Sequence, residues 1–323
     1  MEQTLDLNRT SACIRSANPH RKPFMTNARS PALPFLVACA GIGFFSIMDA
    51  VMKDLSIALG AYNAVLWRCV IGTVLAGGVW AALRSALPSR AALRLHFIRS
   101  VLVAAMAVSF FWALVRLPLA EAIALSFIAP LITLYLAAVM LGEKVGRGAV
   151  MASVMGLAGM LVIVSAKLGG PEGGLQDGAA VGAVLFSAVC YAVNLIIARK
   201  QAQLASPTEI AFFQNLLVGG LLALAAPWLA VWPAHGWWPQ LVAAAMLATL
   251  SVLLIAWAYA RAEAQQLVTV EYTAFLWAAL LGWFWFAEPL AWQTIAGTVL
   301  IVAGCLIAMR KKPLMDVVEP IPA

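Results

Sequence analysis

The chain has 323 residues, of which 63% are apolar and only 11% charged, and its mean hydropathy is +0.92. A water-soluble domain carries about 25% charged residues, so a surface facing water on all sides is excluded and the chain is expected to sit in lipid. The net charge of +7 and pI near 9.4 do not point to nucleic acid, because the basic residues lie between apolar segments, where lysine and arginine set membrane orientation. Cys13, Cys39, Cys69, Cys190 and Cys305 form an odd set without C-x-x-C spacing, four of them inside apolar segments. That pattern argues against a disulfide or zinc framework.

In chain order, residues 1–32 carry Arg9, Arg15, Arg21, Lys22 and Arg29 among polar residues and have no apolar h-region. They are expected to be a disordered cytosolic tail, not a cleaved signal peptide, and Met25 is a second candidate start. A membrane crossing needs about 20 apolar residues. Apolar segments broken by charged or Gly/Pro-rich turns predict helices at 33–53, 62–83, 97–116, 119–141, 147–166, 178–198, 209–231, 240–260, 264–287 and 291–310. Residues 311–323 form a second cytosolic tail. The fold class expected is an all-α integral membrane protein. Counting Lys and Arg in alternate loops gives seventeen on one side, including Arg84, Arg90, Arg94, Arg99, Lys144 and Lys200, against Lys53, Arg116 and Lys167 on the other. The positive-inside rule then puts both termini in the cytoplasm, as an even number of spans requires.

The chain also repeats itself. A shift of 145 residues lays Arg116 on Arg261, Ala129 on Ala274, Leu131 on Leu276, Glu143 on Glu288 and Gly159 on Gly304, and keeps the segment boundaries in phase. Five helices per half is an odd number, so the second half enters the membrane from the opposite face. Ten transmembrane helices as two inverted five-helix repeats, 33–166 and 178–310, is a common plan of secondary transporters, with the site near the midplane where the halves meet.

The stretch Phe127-Ile128-Ala129-Pro130 through Gly142-Glu143-Lys144 and the stretch Glu271-Tyr272-Thr273 through Ala287-Glu288-Pro289, Gly297 and Gly304 carry a resemblance, with Arg68 in the second helix. They resemble the repeated signature of the EamA-type, ten-helix branch of the drug/metabolite transporter superfamily. The resemblance covers residues 33–310 and implies a carrier of small organic solutes. It departs at Phe275, which stands opposite Pro130, so a proline kink in the ninth helix is not implied.

An ionisable side chain inside a span costs at least about 2.5 kcal/mol, so each one needs a reason. Asp49 and Lys53 lie four apart on the first helix, a spacing that allows an ion pair. Arg68 lies about six residues into the second helix, roughly 9 Å below the outer surface. With Glu121, these fall in the outer half of the membrane. Asn194, Gln214, Asn215 and Glu271 fall in the inner half, and Asn194 is the image of Asp49 under the repeat shift. Two polar clusters related by inversion would make two gates. The bland readings are a head-group pair for Asp49 with Lys53, helix-end tethering for Arg68, and a buried hydrogen-bond network with Thr273 and Gln266 for Glu271. Glu121, Glu143 and Glu288 at span ends are explained by helix-terminus solvation.

Trp67, Phe127, Tyr191, Trp257, Tyr259, Tyr272 and Trp277 fall within spans, where aromatics with a few polar anchors make a small-molecule site. Trp228, Trp232, Trp237 and Trp238 form an interfacial belt. His20, His96 and His235 all read as loop residues, so no metal relay and no cofactor are expected. Gly156, Gly159, Gly297 and Gly304 are spaced for close helix contact, either within a monomer or at a homodimer seam through the fifth and tenth helices. The function expected is secondary transport of a small organic metabolite across a bacterial inner membrane, with Asp49, Glu121 or Glu271 as proton carriers. The tilt is toward uptake of a vitamin or nucleoside-like cofactor of the riboflavin or S-adenosylmethionine type, against export of amino acids or drugs. A membrane-embedded enzyme is disfavoured because H-E-x-x-H, G-x-S-x-G and D-D-x-x-D are absent.

Overall fold

The computed structural model describes residues 32–83, 87–129, 132–133, 135–136, 147–168, 175–202, 204–259 and 273–310. Residues Pro34–Ala323 form one compact unit and Met1–Leu33 a second; the account below concerns the first. The described residues are all-helical. In chain order the helices are α1 (Ala32–Leu59), α2 (Ala61–Ala82), α3 (Arg90–Leu114), α4 (Leu119–Ser126) and α5 (Arg147–Leu168), followed by α6 (Leu175–Ala202), α7 (Pro207–Ala223), α8 (Trp238–Tyr259), α9 (Thr273–Phe286) and α10 (Trp292–Arg310). A single turn at Ala226–Leu229 and a 3-10 turn at His235–Trp237 lie between α7 and α8. Among the described residues, five helices are long and apolar enough to cross a membrane.

Of the boundaries that differ from the sequence reading, three have a clear physical reason. The first helix does not stop at the charged pair Lys53 and Asp54 but runs to Leu59. It ends at Gly60, whose φ of +80° is a left-handed turn that a glycine adopts without steric cost, so one residue connects α1 to α2. The third helix starts at Arg90, seven residues before the expected position, because Ser89 caps it by accepting a hydrogen bond from the Ala92 N–H at 3.1 Å. Its first three turns expose Arg90 and Arg94 on one face and bury His96 and Ser100 on the other, so neither His96 nor Arg99 is a loop residue. The seventh helix stops at Ala223, because Pro227 has no N–H to bond the carbonyl four residues back.

Packing joins the two halves of the sequence. α5 lies on α10, α3 on α6, α2 on α7 and α9 on α4. At the α5–α10 crossing a Cβ on Gly159 would stand 2.5 Å from the Gly297 carbonyl oxygen, and one on Gly297 would stand 2.5 Å from the Gly159 carbonyl oxygen. Only glycine permits that approach, and the contact is made within one chain. The buried interior includes Met52, Leu55, Leu114, Leu125 and Ile301, while Trp283 and Phe284 on α9 are 68% and 85% exposed. Large apolar side chains on the outside are what a lipid solvent allows.

Candidate functional site

α1 is the most deeply buried of the five membrane-length helices, yet it carries a polar stripe. Ser46, Asp49, Lys53 and Ser56 are all buried, and their spacing of three, four and three residues puts them on one helical face. Both charges on that stripe meet groups from elsewhere in the chain, one on α2 and one just after α9. Arg68, half-buried on α2, is close enough to Asp49 for its charge to act on the carboxylate. Its Nε is buried without a hydrogen-bond partner, and one Nη reaches only the Cys69 sulfur at 3.8 Å.

Lys53 forms an ion pair with Glu288, 235 residues away. It also donates to the Leu117 carbonyl at 2.7 Å and lies 5.0 Å from the centre of the Phe286 ring. The second oxygen of Glu288 accepts from the Leu119 N–H at 2.7 Å. The backbone after α9 aims this carboxylate. Ala287 has φ +52°, a left-handed conformation costly for a residue with a Cβ, and the Glu288 N–H bonds back to the Gly282 carbonyl at 3.0 Å. A Cβ on Gly282 would stand 2.9 Å from Glu288 Oε2, so the glycine leaves room for the carboxylate. Glu288 is therefore a structural tie between α1, the α3–α4 turn and the end of α9, not a solvated helix end.

A second polar group lies at the other end of α3. Arg99 donates from Nε to Asn194 Oδ1 at 2.8 Å and from Nη1 to Gln201 Oε1 at 2.5 Å. Gln201 Nε2 meets His96 Nδ1 at 2.5 Å, and His96 Nε2 meets Glu209 Oε1 at 3.1 Å. His96 and Gln201 are each 1% exposed. The local sequence holds Glu209 in place, since Ser206 accepts the Glu209 N–H at 3.3 Å and Pro207 opens the helix, the N-terminal pattern S-P-x-E. Arg99 and Leu114 are fifteen residues apart on one helix, about 22 Å along its axis, so the two groups are well separated.

The remaining candidates are dispersed. Glu121 is buried in the first turn of α4. Tyr191, half-buried on α6, is near enough to act electrostatically on Arg99. Gln214 is half-buried on α7, and its neighbour Asn215 donates to the Ala211 carbonyl at 2.9 Å. Trp257 packs in a small cluster with Ala38 and Ala258. Glu271 and Tyr272 lie outside the described residues. Trp67 is not isolated within its span: its ring meets Trp232 at 4.8 Å and Trp238 at 5.6 Å, and its Nε1 donates to the Val231 carbonyl at 2.9 Å. The sequence reading places His96 in a loop and does not single out Gln201 or Glu209, although Ser206-Pro207-Thr208-Glu209 carries a helix-start pattern.

Membrane-length apolar helices with charged residues buried among them, as the described residues form, are the make-up of an integral membrane protein. The chain belongs to the EamA-like transporter family, whose model matches residues 33–165 and 178–310. It is similar to the pseudopaline exporter CntI of Pseudomonas aeruginosa, 29% identical over 83% of this chain and 93% of that protein. It is also similar to a riboflavin transporter of Rhizobium johnstonii, 26% identical over 72% of this chain and 74% of the other. A solved crystal structure matches with a TM-score of 0.61 at 22% identity, covering 86% of this chain and 96% of that one, which supports the fold alone.

Proposed function

We propose that this chain is a secondary transporter that moves a small zwitterionic organic metabolite across a bacterial inner membrane by alternating access of two inverted five-helix repeats. Both termini lie in the cytoplasm, and the solute leaves chemically unchanged. The observation that carries the reading is that polar links between the first and second halves fall into two groups separated along α3. One is Lys53 with Glu288, the other Arg99 and His96 with Asn194, Gln201 and Glu209. A carrier needs one set of breakable contacts on each side of its site.

Asp49 and Arg68 place a carboxyl and a guanidinium in the same region, suited to an ammonium and a carboxylate on one solute. The free Nε of Arg68 is a donor for that carboxylate. The name of the Pseudomonas relative favours export, and we take that direction first. The name of the Rhizobium relative favours the second reading, uptake of a planar cofactor. Counterflow in proteoliposomes loaded with amino-acid-like zwitterions or flavins separates the two. Equal indifference to both classes, with Arg68→Ala behaving as wild type towards whatever is carried, overturns the reading. Epitope tags showing the termini on different faces overturn the inverted repeat.

A further inference from the structure

We propose that His96 is a proton-binding site whose charge state controls the α3–α6 contact, and so supplies the proton coupling of the transporter; this rests on the reading above. Arginine has hydrogen-bond donors and no acceptor, so the Gln201 group facing Arg99 must be its carbonyl oxygen. The amide is thereby oriented, and its NH2 faces His96 Nδ1. Nδ1 must then accept, which leaves the proton of a neutral imidazole on Nε2, donating to Glu209 Oε1. The chain Arg99–Gln201–His96–Glu209 is thus fully directional, with one cation at one end, one carboxylate at the other and two neutral groups between.

A proton arriving from water has one place on this imidazole, Nδ1. There it sets an N–H against the Gln201 NH2, two donors face to face. Gln201 relieves the conflict by turning its carbonyl to His96, which points its NH2 at Arg99 and removes one of the two side-chain acceptors holding that guanidinium. The His96 link to Glu209 becomes an ion pair at the same time. One proton therefore weakens the tie of α3 to α6 and strengthens the tie of α3 to α7. Among the described residues, the charged and titratable groups facing His96 are Glu209 from α7 and, through Gln201, Arg99 of its own helix; Tyr191 of α6 acts on Arg99, and the part of α2 from Gly72 to Ala82 has no titratable residue. Phe213 stacks on the imidazole at 5.1 Å, which holds the ring plane while the charge changes.

The test uses the full chain in lipid bilayers and needs no substrate. Nitrogen-15 histidine spectra between pH 8 and 5, with His96→Gln identifying the signal among three histidines, should show Nδ1 unprotonated at pH 8 and an imidazolium at pH 5. Spin labels at Leu93 and Leu204, with the native cysteines replaced, should move apart over the same range. The separation should stay fixed in His96→Gln. It should also stay fixed in Gln201→Glu, whose carboxylate accepts from both Arg99 and a protonated His96. A single His96 charge state across the range, an unchanged distance while His96 titrates, or a pH response that survives His96→Gln overturns the proposal. A working switch in a chain that carries no metabolite would instead overturn the transport reading alone.

Discussion

Lys53 and Glu288 close a contact between the first helix and the segment that follows the ninth, and two neighbouring backbone groups complete it: the Leu117 carbonyl accepts from the amine and the Leu119 N–H donates to the carboxylate. Pro118 between them has no N–H of its own, so the turn from α3 to α4 presents one acceptor and one donor to a cation and an anion. Both charges are thereby solvated by protein.

Removing one member strands the other. Lys53→Met should lower stability by about 3 kcal/mol, at the lower end for one partner of a buried ion pair. The double variant Lys53→Met with Glu288→Leu should cost less than the sum of the two single changes. Thermal unfolding of the four proteins in one detergent gives the coupling, and additive shifts would mean that the pair acts independently.

The left-handed residue after α9 offers an opposite test. Ala287→Gly removes a conformational cost of about 1–2 kcal/mol and adds glycine's extra chain entropy, about 0.5–1 kcal/mol. A modest rise in melting temperature is expected. Gly282→Ala puts a methyl 2.9 Å from Glu288 Oε2 and should reproduce part of the destabilisation expected from losing the Lys53–Glu288 pair, without touching a charge.

Helix positions were largely legible because the apolar segments are long and their breaks are charged or rich in glycine and proline. The pairing was not. Asp49 and Lys53 share a stripe at i,i+4, so the sequence offered each as a partner for the other, yet the carboxylate that reaches Lys53 comes from 235 residues away. No local spacing encodes that. His96 was hidden for a different reason: Arg90 and Arg94 made the stretch look like a loop, although a helix with one face in water carries such residues readily. The repeat singles out Asn194 as the image of Asp49, whereas its hydrogen-bond partner Arg99 falls in sequence among basic residues that read as loop charges orienting the chain.

The glycine crossing of α5 and α10 is expected to be intolerant of volume. Gly159→Leu forces the helices apart and should destabilise the chain by about 1–3 kcal/mol or more, with a matching loss of folded protein on gel filtration. If the variant instead remains fully folded and changes only its apparent mass, the seam serves assembly between chains.

Solute recognition is tested at the opposed charges. Asp49→Asn should raise the apparent KM for a zwitterion about tenfold or more while leaving a deaminated analogue less affected, and Arg68→Lys should retain less than a tenth of wild-type flux because one ammonium cannot replace a planar fork. Initial rates of counterflow at several solute concentrations measure both.

α3 carries Arg99 and His96 near its start and runs straight into the Leu117–Leu119 turn at its finish. A stiff rod fastened near both tips can swing about either fastening but cannot leave both without losing its seat. In a carrier of this plan, mutual exclusion of the two openings then follows from leverage in a single helix, and no relay of messages through the interior has to be invoked.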